Sequence, residues 1–300
     1  MPNRWIGPAA IAGAALLWAT DAIVRWPALR SIDALSLVTL DHALALLILF
    51  PVILARRGRA LFKLRSYDVL ALAVIGLGGS ALGTVLFTRS FSHTHPSVAI
   101  LLQKLQPILT ISLSVLFLGE RRKRAFFGWA AVALAASITL ALPDFNDPEI
   151  AVRFSIRSLG AIFALAAAAL WAISTVIGKQ LLRNVPPDIA TFWRYAFGLA
   201  GLLLISLATR GEAISASLSS MDGGLLFSIA YMALIPGLLA MLLYYHGLRR
   251  TQATTVTLVE LLFPVLAIAL NWIFLGASLT ATQLILSVVL LTSVVLSSLD

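Results

Sequence analysis

Ten stretches of roughly 20 mostly apolar residues, joined by short polar connections, constrain this chain more than any other feature of its sequence. They run over residues 6–24, 35–55, 69–91, 97–118, 125–142, 158–182, 189–208, 225–247, 253–275 and 279–297. At a rise of about 1.5 Å per residue, a helix of about 20 residues crosses a hydrocarbon core ~30 Å thick. Lipid offers no hydrogen bonds to an open backbone, so such stretches are expected to be helical. Hydrophobic residues make up 60% of the 300 positions and charged ones 12%, against roughly 45–50% and 25% in soluble domains. The pattern predicts an all-α polytopic membrane protein of ten transmembrane helices with the lipid bilayer as its solvent.

The longest polar interval, residues 143–157, is too short for a soluble domain, so function is expected to reside among the helices. The net charge of +9 sits in short loops, as in the cytoplasmic loops of membrane proteins. It lacks the continuous basic surface that tracks a phosphate backbone, which argues against nucleic acid as a partner. The sequence has no cysteine, so it offers no disulfide framework and no thiolate metal site. Only Arg4 precedes the first apolar stretch, and that stretch outruns the 7–15 residues of a signal sequence, so it is expected to stay as a membrane helix.

The chain also resembles itself. A shift of 153 residues lays Leu17-Trp18-Ala19 on Leu170-Trp171-Ala172 and Arg57-Gly58 on Arg210-Gly211. A shift of 157 lays Pro107 on Pro264 and Phe117-Leu118-Gly119 on Phe274-Leu275-Gly276. Residues 1–150 and 151–300 are thus expected to be two five-helix repeats. Five is odd, so the second must be inverted relative to the first, and matching loops should reverse their charge bias. With both termini in the cytoplasm, inner segments hold 14 Lys or Arg and outer ones six, which is the orientation Lys and Arg impose. Inverted repeats of this kind are common in secondary transporters, with a site near the bilayer midplane.

Polar residues within apolar helices are costly and mark a path. Thr254, Thr257, Glu260, Pro264 and Asn271 recur at helical spacing. Gln103, Pro107 and Ser114 repeat the plan in the first half, and Lys104 follows Gln103. A proline breaks the bond to the carbonyl four residues back, which belongs to Gln103 and to Glu260. Lys104 and Glu260 are therefore expected to face a solute from opposite ends, as a clamp for a zwitterion or as an ion pair. Trp18, Asp21 and Arg25 share one helical face, matched by Trp171, Ser174 and Gly178. The tryptophans lie too deep for interfacial belts and are expected to line a cavity; Asp21 and Arg25, four apart, are expected to pair.

Asp41-His42 and Arg194 occupy matching places at opposite depths, so direct pairing is not expected. Each is a candidate proton site, histidine because it titrates between about pH 5 and 8. Pro236-Gly237 overlies Gly79-Ser80 and marks a flexible place in both halves. Tyr244 and Tyr245 are read as interfacial anchors or gate elements. The candidate substrate contacts are Trp18, Asp21, Gln103, Lys104, Trp171, Ser174, Thr257 and Glu260.

An intramembrane enzyme is the rival class. No His-Glu-x-x-His is present, and His93 and His95 lack a third ligand nearby, so no metal is expected. Gly78-Gly79-Ser80-Ala81-Leu82 departs from Gly-x-Ser-x-Gly at its last position. No phosphate-binding loop is present to couple ATP. No cofactor is expected.

Two five-helix units, each with a proline in its fourth helix followed by Leu116-Phe117-Leu118-Gly119-Glu120 or Phe274-Leu275-Gly276, resemble the EamA units of the drug/metabolite transporter superfamily. Trp18 and the overall plan are similar to exporters of aromatic and other amino acids of the YddG type. The resemblance implies a central cavity reached alternately from either side of a bacterial inner membrane, export of neutral and aromatic amino acids, and a monomer. Cationic drugs or nucleotide sugars are the alternative cargo. Ala277 replaces the acidic residue found at Glu120, and Asp41 stands where the family often has the arginine seen at Arg194.

Overall fold

The computed structural model describes residues 5–94, 96–141, 159–208, 221–266, 269–270 and 280–299. Every regular element among them is helical. Eight spans are long and apolar enough to cross a membrane, from 19 residues (Ala281–Leu299) to 29 (Ala34–Phe62). Two shorter apolar helices, Arg124–Leu140 and Ala253–Leu266, fall on the stretches 125–142 and 253–275. Asn271, residues 274–277, Arg210, Gly211 and His95 lie outside the described residues. The large side chains Leu47, Leu116, Phe117 and Leu207 point outward and are largely exposed, as a surface bathed in lipid requires.

In chain order the helices are α1 (Ile6–Ala19), α2 (Asp21–Ala28), α3 (Ala34–Arg57), α4 (Ser66–Val74) and α5 (Gly83–His93). Then come α6 (Pro96–Gln103), α7 (Gln106–Leu118), α8 (Arg124–Ala141), α9 (Leu159–Leu181) and α10 (Pro187–Ala208). The last are α11 (Gly223–Met232), α12 (Ala240–Arg250), α13 (Ala253–Glu260) and α14 (Ala281–Leu299). Two π-helical segments, Ile75–Leu82 and Ala233–Leu239, join α4 to α5 and α11 to α12. They fall on the two places that the sequence marks as flexible.

Helix contacts come in matched pairs. α1 packs along α12 and α9 along α5; Ile75–Leu82 packs on α10 and Ala233–Leu239 on α3; α7 meets α13 and α8 meets α14. Small residues permit the close crossings, as is usual between membrane helices. A Cβ on Gly76 would stand 2.4 Å from Cβ of Phe197, and one on Gly247 2.8 Å from the carbonyl oxygen of Gly7.

Helix ends are satisfied by side chains from afar. α7 ends on Gly119, whose φ of 64° a residue without Cβ adopts freely. That turn aims Glu120 at the start of α13, where its carboxylate accepts from the amides of Ala253 (2.7 Å) and Thr254 (3.0 Å) and from the Thr254 hydroxyl (2.7 Å). An anion there also favours the helix dipole. Arg122 donates to the Thr254 and Thr255 hydroxyls. Lys179 donates to the last carbonyls of α12, Leu248 (2.8 Å) and Arg249 (3.2 Å). These bonds tie the basic loop after α7 and the end of α9 to the α12–α13 connection.

Candidate functional site

Two helix breaks build the site. α6 stops at Gln103 and α13 at Glu260, the residues whose carbonyls Pro107 and Pro264 deprive of an amide partner. After each break the chain takes one tight turn. Lys104 N donates to Leu101 O (3.0 Å) and Leu105 N to Leu102 O (3.1 Å); Leu261 N donates to Leu258 O (3.1 Å) and Leu262 N to Val259 O (3.0 Å). Across the gap, Gln106 Nε2 donates to Glu260 Oε2 (3.4 Å), and the Lys104 ammonium sits 4.1 Å from the Phe263 ring centre.

The π segments form the opposite wall. Trp18 Nε1 donates to the carbonyl of Pro236 at 3.0 Å, and Trp171 Nε1 to the carbonyl of Gly79 at 2.9 Å. Both pairs obey the repeat offsets, because Trp18 matches Trp171 and Gly79 matches Pro236. A π turn leaves a carbonyl without its usual amide, and here an indole from the other half of the chain supplies the donor.

Between these walls lies a cavity of about 210 Å³. Of the eight predicted substrate contacts, Trp18, Asp21, Gln103, Lys104, Trp171, Ser174 and Glu260 line it together. Thr257 is 0% exposed and lies outside the lining. Lys104 is buried yet forms no ion pair among the described residues. Glu260 Oε1 is buried and accepts no hydrogen bond of ordinary geometry. Lys104 and Glu260 thus face one cavity, with no ion pair between them among the described residues.

Arg25 pairs with Asp21 as its spacing predicts, at 2.6 and 2.9 Å, both on α2, while the interruption at Thr20 separates them from Trp18 on α1. Asp41 and Arg194 make no ion pair with each other among the described residues. Asp41 instead takes Arg25 at 3.5 Å, and Arg194 rests on the Tyr245 hydroxyl at 3.3 Å. Tyr244 and Tyr245 are buried, which removes the interfacial-anchor reading. The Tyr244 ring lies tilted 5.2 Å from Trp18, and its hydroxyl hydrogen-bonds Thr175 at 2.6 Å. His93 packs against Phe163 at 5.6 Å.

The lining also includes Ser80, Phe87, Gln106, Tyr195 and Phe263, which the sequence reading did not place at the site. Gln106 and Phe263 occupy matching places beside the two prolines, a signal that could have identified them. Nothing in the local pattern marks Phe87 or Tyr195.

A helical membrane fold broken at mid-span around a polar and aromatic cavity defines a multi-pass transporter. The EamA-like transporter family model matches residues 5–142 and 158–299, and the chain belongs to that family. A riboflavin transporter, ImpX, of Fusobacterium nucleatum is 30% identical over 302 residues, covering 98% of this chain and 98% of its own. A probable amino-acid metabolite efflux pump of Salmonella typhimurium is 27% identical over 191 residues, 62% of each chain. A solved crystal structure shares the fold with a TM-score of 0.77 at 20% identity, over 98% of this chain and 96% of its own.

Proposed function

We propose that this chain is a secondary transporter that carries an aromatic solute with polar groups across a bacterial inner membrane by alternating access. In this reading residues 1–150 and 151–300 are inverted five-helix repeats, the chain crosses the membrane ten times with both termini in the cytoplasm, and it works as a monomer. The observation that carries it is a single cavity with indole and phenyl walls (Trp18, Trp171, Phe87, Phe263) and hydrogen-bonding groups between them (Asp21, Gln103, Ser174, Glu260). Aromatic walls favour flat rings through stacking and area burial, and a few placed polar groups set orientation.

The first cargo to test is a flavin such as riboflavin, whose fused rings suit the indoles and whose hydroxylated chain suits the polar groups. Support comes from the ImpX relative, which aligns end to end. A second reading, export of aromatic and other neutral amino acids, is favoured by Lys104 and Glu260, which present separate charges suited to a carboxylate and an ammonium. Counterflow in proteoliposomes decides between them. Labelled riboflavin and labelled phenylalanine are each offered against a panel of unlabelled flavins, amino acids, nucleotide sugars and cationic dyes. The flavin reading expects riboflavin to exchange and phenylalanine to leave it unaffected, and the reverse pattern selects the amino acid. Exchange of neither probe, with dyes or nucleotide sugars moving instead, overturns both.

A further inference from the structure

One side of the cavity holds a connected line of titratable groups that the cargo reading leaves mostly unused. Arg25, on α2, bonds Asp21 and reaches Asp41 Oδ2 at 3.5 Å and the Thr88 hydroxyl at 3.4 Å. On α3, Asp41 Oδ1 lies 2.5 Å from His42 Nδ1, which is also 2.9 Å from the carbonyl of Val38. His42 Nε2 lies 2.9 Å from the hydroxyl of Ser80 on the Ile75–Leu82 segment. Arg25, Asp41, His42 and Ser80 are all buried, and all four line the cavity.

Both atoms facing Nδ1 are acceptors when Asp41 is ionised, so Nδ1 carries the ring's hydrogen. Nε2 is then the variable nitrogen. The Ser80 hydroxyl donates to Nε2 when the ring is neutral and turns to accept from it when the ring is charged, so a second proton costs no hydrogen bond. Arg25 bonds both Asp21 and Asp41, so the carboxylate beside the ring is held in place.

Of the elements packed on α3, α11 carries Tyr231, whose hydroxyl bonds Thr20, and α5 carries Arg89 and His93. From α10, the ring of Tyr195 stands 5.0 Å from the imidazole, and Arg194 is the opposing cation, held on Tyr245. The Ala233–Leu239 segment, also packed on α3, carries no titratable side chain. Ser80 directly follows Gly79, whose carbonyl holds Trp171. The proton's hydrogen-bond partner and the indole's partner are thus neighbours on one π segment.

We infer that His42 is a proton-carrying site that couples cargo movement to a proton gradient. Its Nε2 gains a proton while the cavity is open to one side of the membrane and loses it on the other. The Asp21–Arg25–Asp41–His42 cluster cycles between one negative charge and none. This rests on the transporter reading.

The test uses proteoliposomes containing the full chain, with labelled riboflavin and labelled phenylalanine as probes and an entrapped pH-sensitive dye. Counterflow without a pH difference establishes transport; accumulation across one pH unit and the dye signal on adding cargo establish coupling. One proton per cargo supports up to about tenfold accumulation per unit, since a pH unit equals a tenfold change in equilibrium. Wild type is expected to accumulate a probe several-fold and to move protons with it. In His42→Gln the amide bridges Asp41 and Ser80 but cannot titrate, so accumulation and the dye signal are expected to vanish. Ser80→Ala, which removes the hydroxyl that serves both ring states, is expected to shift the pH profile of exchange. Wild-type counterflow without a proton signal, accumulation by His42→Gln equal to wild type, or an unshifted Ser80→Ala profile overturns the coupling and leaves the transporter reading intact. Absence of counterflow of both probes in wild type overturns the transporter reading for these cargoes and the coupling with it.

Discussion

Around Gln103 the chain leaves its helix for two residues and resumes at Gln106; around Glu260 it does the same and resumes at Phe263. The turns carry the same hydrogen bonds within about 0.1 Å. The side chains do not match: Gln103, Lys104 and Gln106 stand against Glu260, Leu261 and Phe263. The π segments repeat the lesson, with equivalent indole bonds but a Gly-Ser pair in one and a Pro-Gly pair in the other. Backbone devices are shared between the halves of the chain, and the chemistry is confined to particular side chains. On the transporter reading, the shared part is the moving frame and the unshared part reads the cargo.

Making the two breaks chemically alike is the most severe way to test that division. The double variant Lys104→Leu/Glu260→Gln gives each half the other's residue. Charged hydrogen bonds are worth about 1.5–3 kcal/mol, and each ~1.4 kcal/mol is tenfold, so initial counterflow is expected to fall about tenfold to a hundredfold. A variant that inserts normally and keeps half the rate sinks the assignment of cargo recognition to these residues.

Packing sharpens the comparison next. Gly76 matches Ala233, so Gly76→Ala makes the two π segments alike at that position, yet the new Cβ would meet Phe197 Cβ at 2.4 Å and the Arg194 carbonyl at 3.0 Å. Overpacking of this kind costs about 1–3 kcal/mol. A lowered melting temperature in detergent is expected for Gly76→Ala and none for Gly78→Ala, where the nearest atom is at 3.7 Å.

The indoles test the shared part. Trp18→Phe and Trp171→Phe each remove one neutral hydrogen bond, worth about 0.5–1.5 kcal/mol, and each is expected to change the counterflow rate up to about tenfold. The two effects should be similar; a large effect from one and none from the other breaks the equivalence of the halves. The smallest effect is expected at the exposed Arg57–Asp188 pair, 2.7 Å apart. Exposed pairs contribute about 1 kcal/mol or less, so Arg57→Ala should leave the melting temperature within a degree or two.

Much of the backbone plan was legible in the sequence. Apolar length marked the helices, the prolines located both breaks to the residue, and the four-residue spacing predicted the Asp21–Arg25 pair. Other features depend on partners far along the chain. Gly79-Ser80 and Pro236-Gly237 read as flexible, but only the distant indoles explain why π turns persist there. The His42–Ser80 contact spans 38 positions, beyond any periodic pattern. The helical stripe that placed Thr257 with Glu260 fixes a common side of the helix, and the break after Glu260 lets one residue reach the cavity while the other remains packed.

The π segments have one more consequence. Each residue of an α-helix turns the chain by about 100°, and a π turn hides one residue from that count. Rewinding either segment to regular α-helix therefore rotates everything beyond it by about 100°, with no change in the number of residues it contains. The extra residue is stored rotation, and the indole bonds at Gly79 and Pro236 are the catches that hold it.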